Sequence, residues 1–168
     1  MNSDAMNNLY QEHHNELYLY ALSLCQREDM AKDLVNESFY KAFITSNLPT
    51  GTFKYWLFRV LKNLFLDAKR KNREVFKEDM DLKPVTVNEG GSPPGSLFLK
   101  ERNRRLYEHL LRLEPERYRE ILYLYYYGEL SVKEISKTIQ ESETHTKTLL
   151  YRARKKLGKN LKEDPYEF

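Results

Sequence analysis

A run of positive side chains near the carboxyl end has the clearest chemistry in this chain. No acidic residue lies between Thr144 and Lys162. The cationic residues of the run are Lys147, Arg152, Arg154, Lys155, Lys156, Lys159 and Lys162. Because each lysine or arginine can neutralise one phosphate, this density of positive charge is typical of a surface that binds an anionic polymer such as DNA.

Two successive helices are predicted to position this run. Ser131 and Glu134 form an S-x-x-E capping box, which predicts a helix from Val132. After a polar break, Ser142 can cap a second helix that carries the cations. The inward stripes are Val132, Ile135 and Ile139 in the first helix and Thr146, Leu149, Leu150, Ala153 and Leu157 in the second. This pattern predicts a helix-turn-helix, an arrangement that places its second helix in the DNA major groove.

A second basic helix is predicted in the first half of the chain. Thr52 can cap it, and it ends near Arg73. Its apolar stripe is Phe53, Trp56, Leu57, Val60, Leu61, Leu64 and Ala68, and its opposite side carries Tyr55, Arg59, Lys62, Leu66 and Arg70. Two further helical patterns precede it, within residues 1–48.

The chain divides into two helical parts around a stretch rich in proline and glycine. Residues 74–98 interrupt every periodicity and are predicted to form a flexible linker. Four helices are expected after it, and strand alternation is not seen. The predicted fold is therefore all-α, with small helical domains at 1–73 and 99–168, the second a four-helix domain with the helix-turn-helix.

Composition excludes several classes of protein. The formal net charge of +3 is too small to indicate nucleic-acid binding by itself, so the segregation of basic blocks carries that signal. Cys25 is the only cysteine, which excludes an intramolecular disulfide and fits a reducing compartment. Without a long apolar run or a secretion signal at the start, we expect a cytoplasmic protein.

Several blocks of sequence resemble one bacterial family. Residues 33–43 read DLVNESFYKAF and residues 53–70 read FKYWLFRVLKNLFLDAKR. They resemble the DL-x-QE-x-F-x-x-A-F/W and F-x-x-WL-x-R-I-x-x-N-x-x-x-D-x-x-R signatures of the extracytoplasmic-function (ECF) sigma factors of RNA polymerase, in the sigma-70 family. Residues 113–120, 129–135 and 151–157 are similar to the C-terminal domain of that family.

This resemblance implies a specificity subunit that is not an enzyme, because catalysis stays in the polymerase core. The first domain is then expected to hold and melt the promoter's minus-ten element, and the second to read its minus-thirty-five element, in a stress response. The implied partners are core RNA polymerase, promoter DNA and an anti-sigma factor, which is often membrane-anchored in this family. No cofactor, metal or small-molecule substrate is implied.

The resemblance also assigns site residues. The helix with Asp33, Asn36, Glu37 and Lys41 would dock on the coiled coil of the largest core subunit. DNA contacts in the first domain are expected from Arg59, Lys62, Asn63, Lys69, Arg70 and Lys71, with the loop Ser46 to Thr52 receiving an extruded base. In the second domain, base edges are expected to meet Glu143, Thr144, Lys147, Thr148 and Tyr151, and phosphates Arg152, Arg154, Lys155 and Lys156.

The turn of the helix-turn-helix departs from the family pattern. Gln140 stands where a glycine is common, and glycine there allows a positive φ. Glu141 and Thr146 stand where apolar residues are common. These substitutions predict a looser or shifted turn and leave the register of the DNA contacts open.

Two surfaces outside the DNA-binding elements have more than one interpretation. The tyrosines Tyr123, Tyr125, Tyr126 and Tyr127 are too many for one buried stripe. They fit either core packing or a surface for a helix of the second-largest polymerase subunit. Linker acids at Glu78, Asp79 and Asp81 fit either nucleic-acid mimicry in the polymerase channel or disorder.

Two rival functions remain open from the sequence. A self-sufficient helix-turn-helix transcriptional regulator would use the second domain alone, with the first for dimerisation or sensing. A metal-dependent enzyme would need His13, His14, Glu16 and Cys25, but adjacent histidines on a helix diverge, and the i, i+4 histidine pair of many zinc sites is missing.

Overall fold

The computed structural model describes residues 3–45, 53–71 and 101–165, all of them in helices or short connections. The described helices fall into two compact units, one containing the first three helices and the other the last four. Their bounds are α1 Ser3–Cys25, α2 Glu28–Ile44, α3 Phe53–Lys71, α4 Glu101–Leu111, α5 Glu116–Tyr126, α6 Val132–Ile139 and α7 Glu143–Lys162. The all-α prediction is confirmed. Thr52, the loop from Ser46 and the linker acids lie outside the described residues.

The three described helices of the first unit form a bundle in which every pair of helices is in contact. Residues 17–24 of α1 are all buried, and α1 contacts both α2 and α3. Tyr20 meets Phe58 edge-to-face, with ring centroids 5.1 Å apart. The first residues of α2 are Glu28 and Asp29, whose negative charge suits the positive end of the helix.

The buried face of α3 differs from the predicted stripe. Phe58 and Phe65 are buried, whereas Val60, Leu64 and Ala68 are only half-buried. Because α3 contacts both α1 and α2, its core face is centred one position away from the stripe that a single 3.6-residue period picks out. Trp56, expected in the core, is half-buried and lies beside Phe53 with ring centroids 6.0 Å apart.

The second unit is organised around α5, which contacts α4, α6 and α7. Its core contains Tyr107 and Tyr123, both fully buried, with ring centroids 6.1 Å apart in an edge-to-face arrangement. Pro115 precedes the first residue of α5. At the other end, the Gly128 amide donates to the Tyr123 carbonyl over 2.9 Å and closes the last turn.

Candidate nucleic-acid interface

The two caps of the helix-turn-helix form as the sequence predicts. The Ser131 hydroxyl accepts from the Glu134 amide at 3.1 Å, and the Glu134 carboxylate accepts from the Ser131 amide at 2.9 Å. The Ser142 hydroxyl accepts from the His145 amide at 3.1 Å. Both helices therefore begin where local hydrogen bonding fixes them, and three residues separate the end of α6 from the start of α7.

The turn between these helices is well closed, contrary to the looser turn that its unusual residues suggested. Gln140 adopts the left-handed conformation, with φ 60° and ψ 48°, which is the backbone that favours glycine. Thr146 is fully buried, and its hydroxyl donates to the Ser142 carbonyl at 2.8 Å. Threonine can occupy this buried position, where apolar residues are common in the family, because its hydroxyl makes a hydrogen bond to a nearby backbone carbonyl.

An ion pair fixes the polar side chain of the turn. The Glu141 carboxylate accepts a hydrogen bond from Arg117 on α5 and lies 3.9 Å from the His145 ring nitrogen. The hydrogen bond from Arg117 lowers the pKa of the Glu141 carboxyl. Glu141 therefore replaces apolar packing with a charged link from the turn to α5.

The side of α7 opposite its core presents the residues predicted to meet bases. Glu143, Thr144, Lys147 and Tyr151 are exposed, and Tyr151 reaches 65% exposure. Thr148 is half-buried, and its hydroxyl donates to the Thr144 carbonyl at 3.2 Å. Residues three, four and seven apart lie on one helix face, so the structure brings these side chains together.

The four residues predicted to contact phosphates divide into two kinds. Arg152 and Lys155 are exposed and project from α7. Arg154 and Lys156 instead reach the two ends of α5. The Arg154 Nε donates to the Tyr126 hydroxyl at 2.8 Å, and the Lys156 ammonium donates to the Glu114 carbonyl just before α5.

Positive charge continues along the second half of α7. An open concavity of about 560 Å³ follows this part of the helix. The cations that line it are Arg152, Arg154, Lys155, Lys156, Lys159 and Lys162. Such a surface can follow a phosphate backbone without reading its sequence.

The basic face of α3 combines cations with aromatic rings. Exposed members are Arg59, Asn63, Lys69, Arg70 and Lys71, and Lys62 is half-buried. The Arg59 guanidinium lies 5.5 Å from the Tyr55 ring centroid, and the Lys62 and Lys69 ammonium groups each lie 5.8 Å from that of Phe65. Arg70 forms an ion pair with Asp67 one turn earlier. The Phe65 ring is buried, so the pair of Arg59 and Tyr55 is the one of these contacts that suits an unpaired nucleic-acid strand.

An exposed face of α2 carries the residues predicted to dock on polymerase. Asp33, Asn36, Glu37 and Lys41 are all exposed. Tyr40 and Ile44 share this face at helical spacing, Phe43 borders it, and each of these three is more than half exposed. Tyr40, Phe43 and Ile44 were not predicted as contact residues. The positions of Tyr40 and Ile44 outside the buried stripe of α2 were the available signal, since an exposed apolar patch marks a contact surface.

The candidate metal ligands of the alternative enzyme function are His13, His14, Glu16 and Cys25. They contact other side chains or backbone groups. His13 lies 3.6 Å from Glu16, and His14 contacts the Tyr10 ring with centroids 4.6 Å apart. Burial raises the pKa of the Cys25 thiol to about 11, and its sulfur donates to the Arg27 carbonyl. Among residues 3–45, 53–71 and 101–165, no three His, Cys, Asp or Glu side chains group as metal ligands. The same residues contain no helix that could span a membrane.

The two helical units, with a helix-turn-helix in one and a basic, aromatic helix in the other, define a two-module protein of the kind that binds nucleic acid. Two known protein families match these two parts of the chain. The sigma-70 region 2 family matches residues 9–75, and the sigma-70 region 4 family matches residues 104–157.

Individual relatives narrow this class. The chain is 36% identical to the ECF RNA polymerase sigma factor SigM of Bacillus subtilis (strain 168), over 89% of this chain and 90% of the relative. It is 30% identical to the RNA polymerase sigma factor SigV of the same organism, over 91% and 89%. The chain belongs to the extracytoplasmic-function sigma factors of the sigma-70 family.

Solved structures share the fold. The sigma factor RpoE from Bartonella quintana, crystallised with the anti-sigma factor NepR, superposes with a TM-score of 0.65 at 28% identity. The match covers 94% of this chain and 98% of that one. CnrH, solved with the cytosolic domain of CnrY, has a TM-score of 0.62 at 24% identity, covering 97% and 91%, and supports the fold alone.

Proposed function

We propose that this chain directs core RNA polymerase to specific promoters and helps to open them, as a specificity subunit without catalytic activity of its own. The observation that carries this proposal is the presence of both modules in one chain. The basic, aromatic helix α3 lies in the first unit, and the helix-turn-helix with its exposed basic face lies in the second. Neither module alone would both melt and locate a promoter.

The first domain, residues 1–73, binds and opens the minus-ten element in this proposal. Opening a duplex requires that the separated strand be held by cations along its backbone and by rings on which bases stack. Arg59 over the half-buried Tyr55 ring supplies that combination on α3, and Lys69 adds an exposed cation. Asn63, exposed on the same helix, is available to hydrogen-bond a base edge or the backbone.

The second domain, residues 99–168, reads the minus-thirty-five element. Lys147 is our main candidate for a base contact, because it is exposed in the second turn of α7, where recognition helices enter the major groove. Arg152 and Lys155, which project from the helix, position it through phosphates. Residues 74–98 connect the two domains.

The exposed face of α2 is proposed to bind the polymerase core. It has a polar half with Asp33, Asn36 and Glu37 and an apolar half with Tyr40 and Ile44. A central apolar anchor beside charged groups is the usual composition of a specific protein interface. The polymerase works in the bacterial cytoplasm, so this proposal places the chain there.

An anti-sigma factor is proposed as a further partner that keeps the free chain inactive until a stress signal arrives. The support is the similarity to RpoE, which was crystallised with the anti-sigma factor NepR. Such a partner would compete with polymerase or with DNA for the surfaces described above.

The test is binding to purified core polymerase followed by initiation on promoter DNA. Glu37→Lys should weaken core binding, because it reverses a charge at the centre of the α2 face. Glu12→Lys is the matched control, since Glu12 is equally charged, 69% exposed and on α1. Retained DNA binding with no core binding by the wild-type chain would instead identify a self-sufficient helix-turn-helix regulator.

A further inference from the structure

Two neighbouring tyrosines of α5 fix the guanidinium of Arg154. The Arg154 Nε donates to the Tyr126 hydroxyl at 2.8 Å. Its central carbon lies 4.8 Å from the Tyr125 ring centroid and 5.6 Å from that of Tyr126. The two rings meet edge-to-face, with centroids 5.1 Å apart. The arginine is thus oriented both by a hydrogen bond and by a ring, although it is exposed.

These contacts use one edge and one face of the guanidinium. Within the parts of the chain that the structure describes, its terminal amino groups Nη1 and Nη2 make no recorded hydrogen bond. That pair of donors has the parallel geometry that matches two oxygens of a phosphate. Arg154 follows Lys147 by seven residues and Tyr151 by three, so it borders the proposed base-reading face of α7.

Core packing does not explain why a tyrosine occupies position 126. It is 54% exposed, whereas Tyr123, one turn earlier on the same helix, is fully buried in the core. The only hydrogen bond of the Tyr126 hydroxyl among the described residues is the one that it accepts from Arg154. The hydroxyl therefore acts on the arginine rather than on the interior of the domain.

We propose that Tyr126 is a positioning residue that orients Arg154 to bind a phosphate of promoter DNA, an inference that rests on the proposed function. A long arginine side chain loses rotamer freedom when it binds. A guanidinium that is already oriented loses less of that freedom on binding DNA, which strengthens the contact. Tyr126 thus contributes to DNA affinity without touching the DNA.

The test is a double-mutant cycle, with promoter affinity of the reconstituted holoenzyme measured over a range of salt concentrations. Tyr126→Phe removes the hydroxyl, keeps the ring, and should weaken binding about fivefold. Arg154→Ala should weaken it further and reduce the salt slope by about one. In the Arg154→Ala background, Tyr126→Phe should have no additional effect, because the group that it positions is gone.

A matched control removes a tyrosine hydroxyl outside the proposed DNA-binding surfaces. Tyr10 lies on α1, its ring contacts His14 and Phe39, and its hydroxyl makes no recorded hydrogen bond among the described residues, so Tyr10→Phe should leave promoter affinity unchanged. Circular dichroism of each variant checks the fold. Core binding is measured in parallel, because a protein contact by Tyr126 would weaken core binding as well.

Three results would overturn the proposal. One is an equal effect of Tyr126→Phe with and without Arg154, and another is a loss of core binding that accounts for the whole effect. The third is an unchanged salt slope in Arg154→Ala while the wild-type holoenzyme binds its promoter. If the wild-type holoenzyme does not bind promoter DNA at all, it is the proposed function that fails.

Discussion

An ion pair between Asp164 and Arg105 joins the carboxyl end of α7 to α4. The Asp164 carboxylate, just after α7, accepts from the Arg105 guanidinium of α4 at 2.8 Å and also contacts His109 one turn further along α4. Only 10% of the Asp164 side chain is exposed. The carboxyl end of the recognition helix is therefore fixed to α4, which restrains the direction of α7.

Replacing Asp164 by Ala should destabilise the second unit. The change removes the carboxylate that accepts from Arg105 and contacts His109, two partly buried side chains, which costs about 2 kcal/mol. Hydrogen exchange of the α4 and α7 amides measures this loss. Glu163→Ala is the control, since Glu163 is exposed and its side chain has no recorded partner in the described segments. Equal protection in the two variants would mean that the Asp164 contact does not stabilise the domain.

Replacing Gln140 by Gly should stabilise the helix-turn-helix. Gln140 has a left-handed backbone that costs a side-chain-bearing residue about 1 kcal/mol relative to glycine. Chemical denaturation of the variant should show that gain, less the entropy that glycine adds to the unfolded chain. Gln140→Ala, which keeps a Cβ, should show no gain. Destabilisation by glycine would indicate that the glutamine side chain makes a compensating contact.

Acidification should weaken the contact between α1 and α3. Burial raises the pKa of the Glu16 carboxyl, but the nearby His13 ring and the Lys54 ammonium, 3.3 Å away, outweigh it and hold the pKa below 4.5. A carboxyl with a lowered folded pKa contributes stability that is present above its ordinary pKa and lost as the pH falls through the folded value. The first unit should therefore lose stability below about pH 4.5.

The variant Lys54→Met tests the source of that pH dependence. It should be less stable than wild type at neutral pH, by about 1 kcal/mol or less, and should lose less stability on acidification. Trp56, the single tryptophan, lies on α3 and reports unfolding of this unit by fluorescence. Lys32→Met is the control, because Lys32 is exposed on α2. Identical acid profiles for wild type and Lys54→Met would contradict the role of the ion pair.

Lys147 and Lys155 should contribute differently to DNA binding. Lys147→Ala should alter the preference among upstream promoter sequences, by about 1–3 kcal/mol at the affected base. Lys155→Ala should weaken binding evenly across sequences and reduce the salt slope by about one. Titrations of promoter variants at several salt concentrations separate the two effects. A sequence-dependent loss in Lys155→Ala, with an unchanged slope, would mean that it reads a base.

Local features of the fold could be predicted from the sequence, because their causes lie within a few residues. The capping box at Ser131 and Glu134 and the cap at Ser142 both depend on neighbours in the chain. The core face of α3 could not be placed, because the choice of Phe58 and Phe65 depends on where α1 and α2 pack.

In the candidate site too, some features could be predicted from the sequence and others could not. Exposure of Lys147 and Tyr151 follows from the helical period. The contacts of Arg154 with Tyr126 and of Lys156 with the Glu114 carbonyl join residues 28 and 42 positions apart. No periodicity predicts contacts between residues so far apart in the chain. From the sequence alone, Arg154 and Lys156 could therefore not be distinguished from Arg152 and Lys155, which project from α7.

Mapping of transcript start sites with purified core polymerase tests the central claim most directly. Transcription of a genomic DNA library is compared with and without the chain, and the 5′ ends of the RNA are sequenced. We predict that the chain adds a discrete set of start sites with a shared pair of upstream sequence elements. Start sites that do not change when the chain is added, although it is folded and bound to core, would contradict the account.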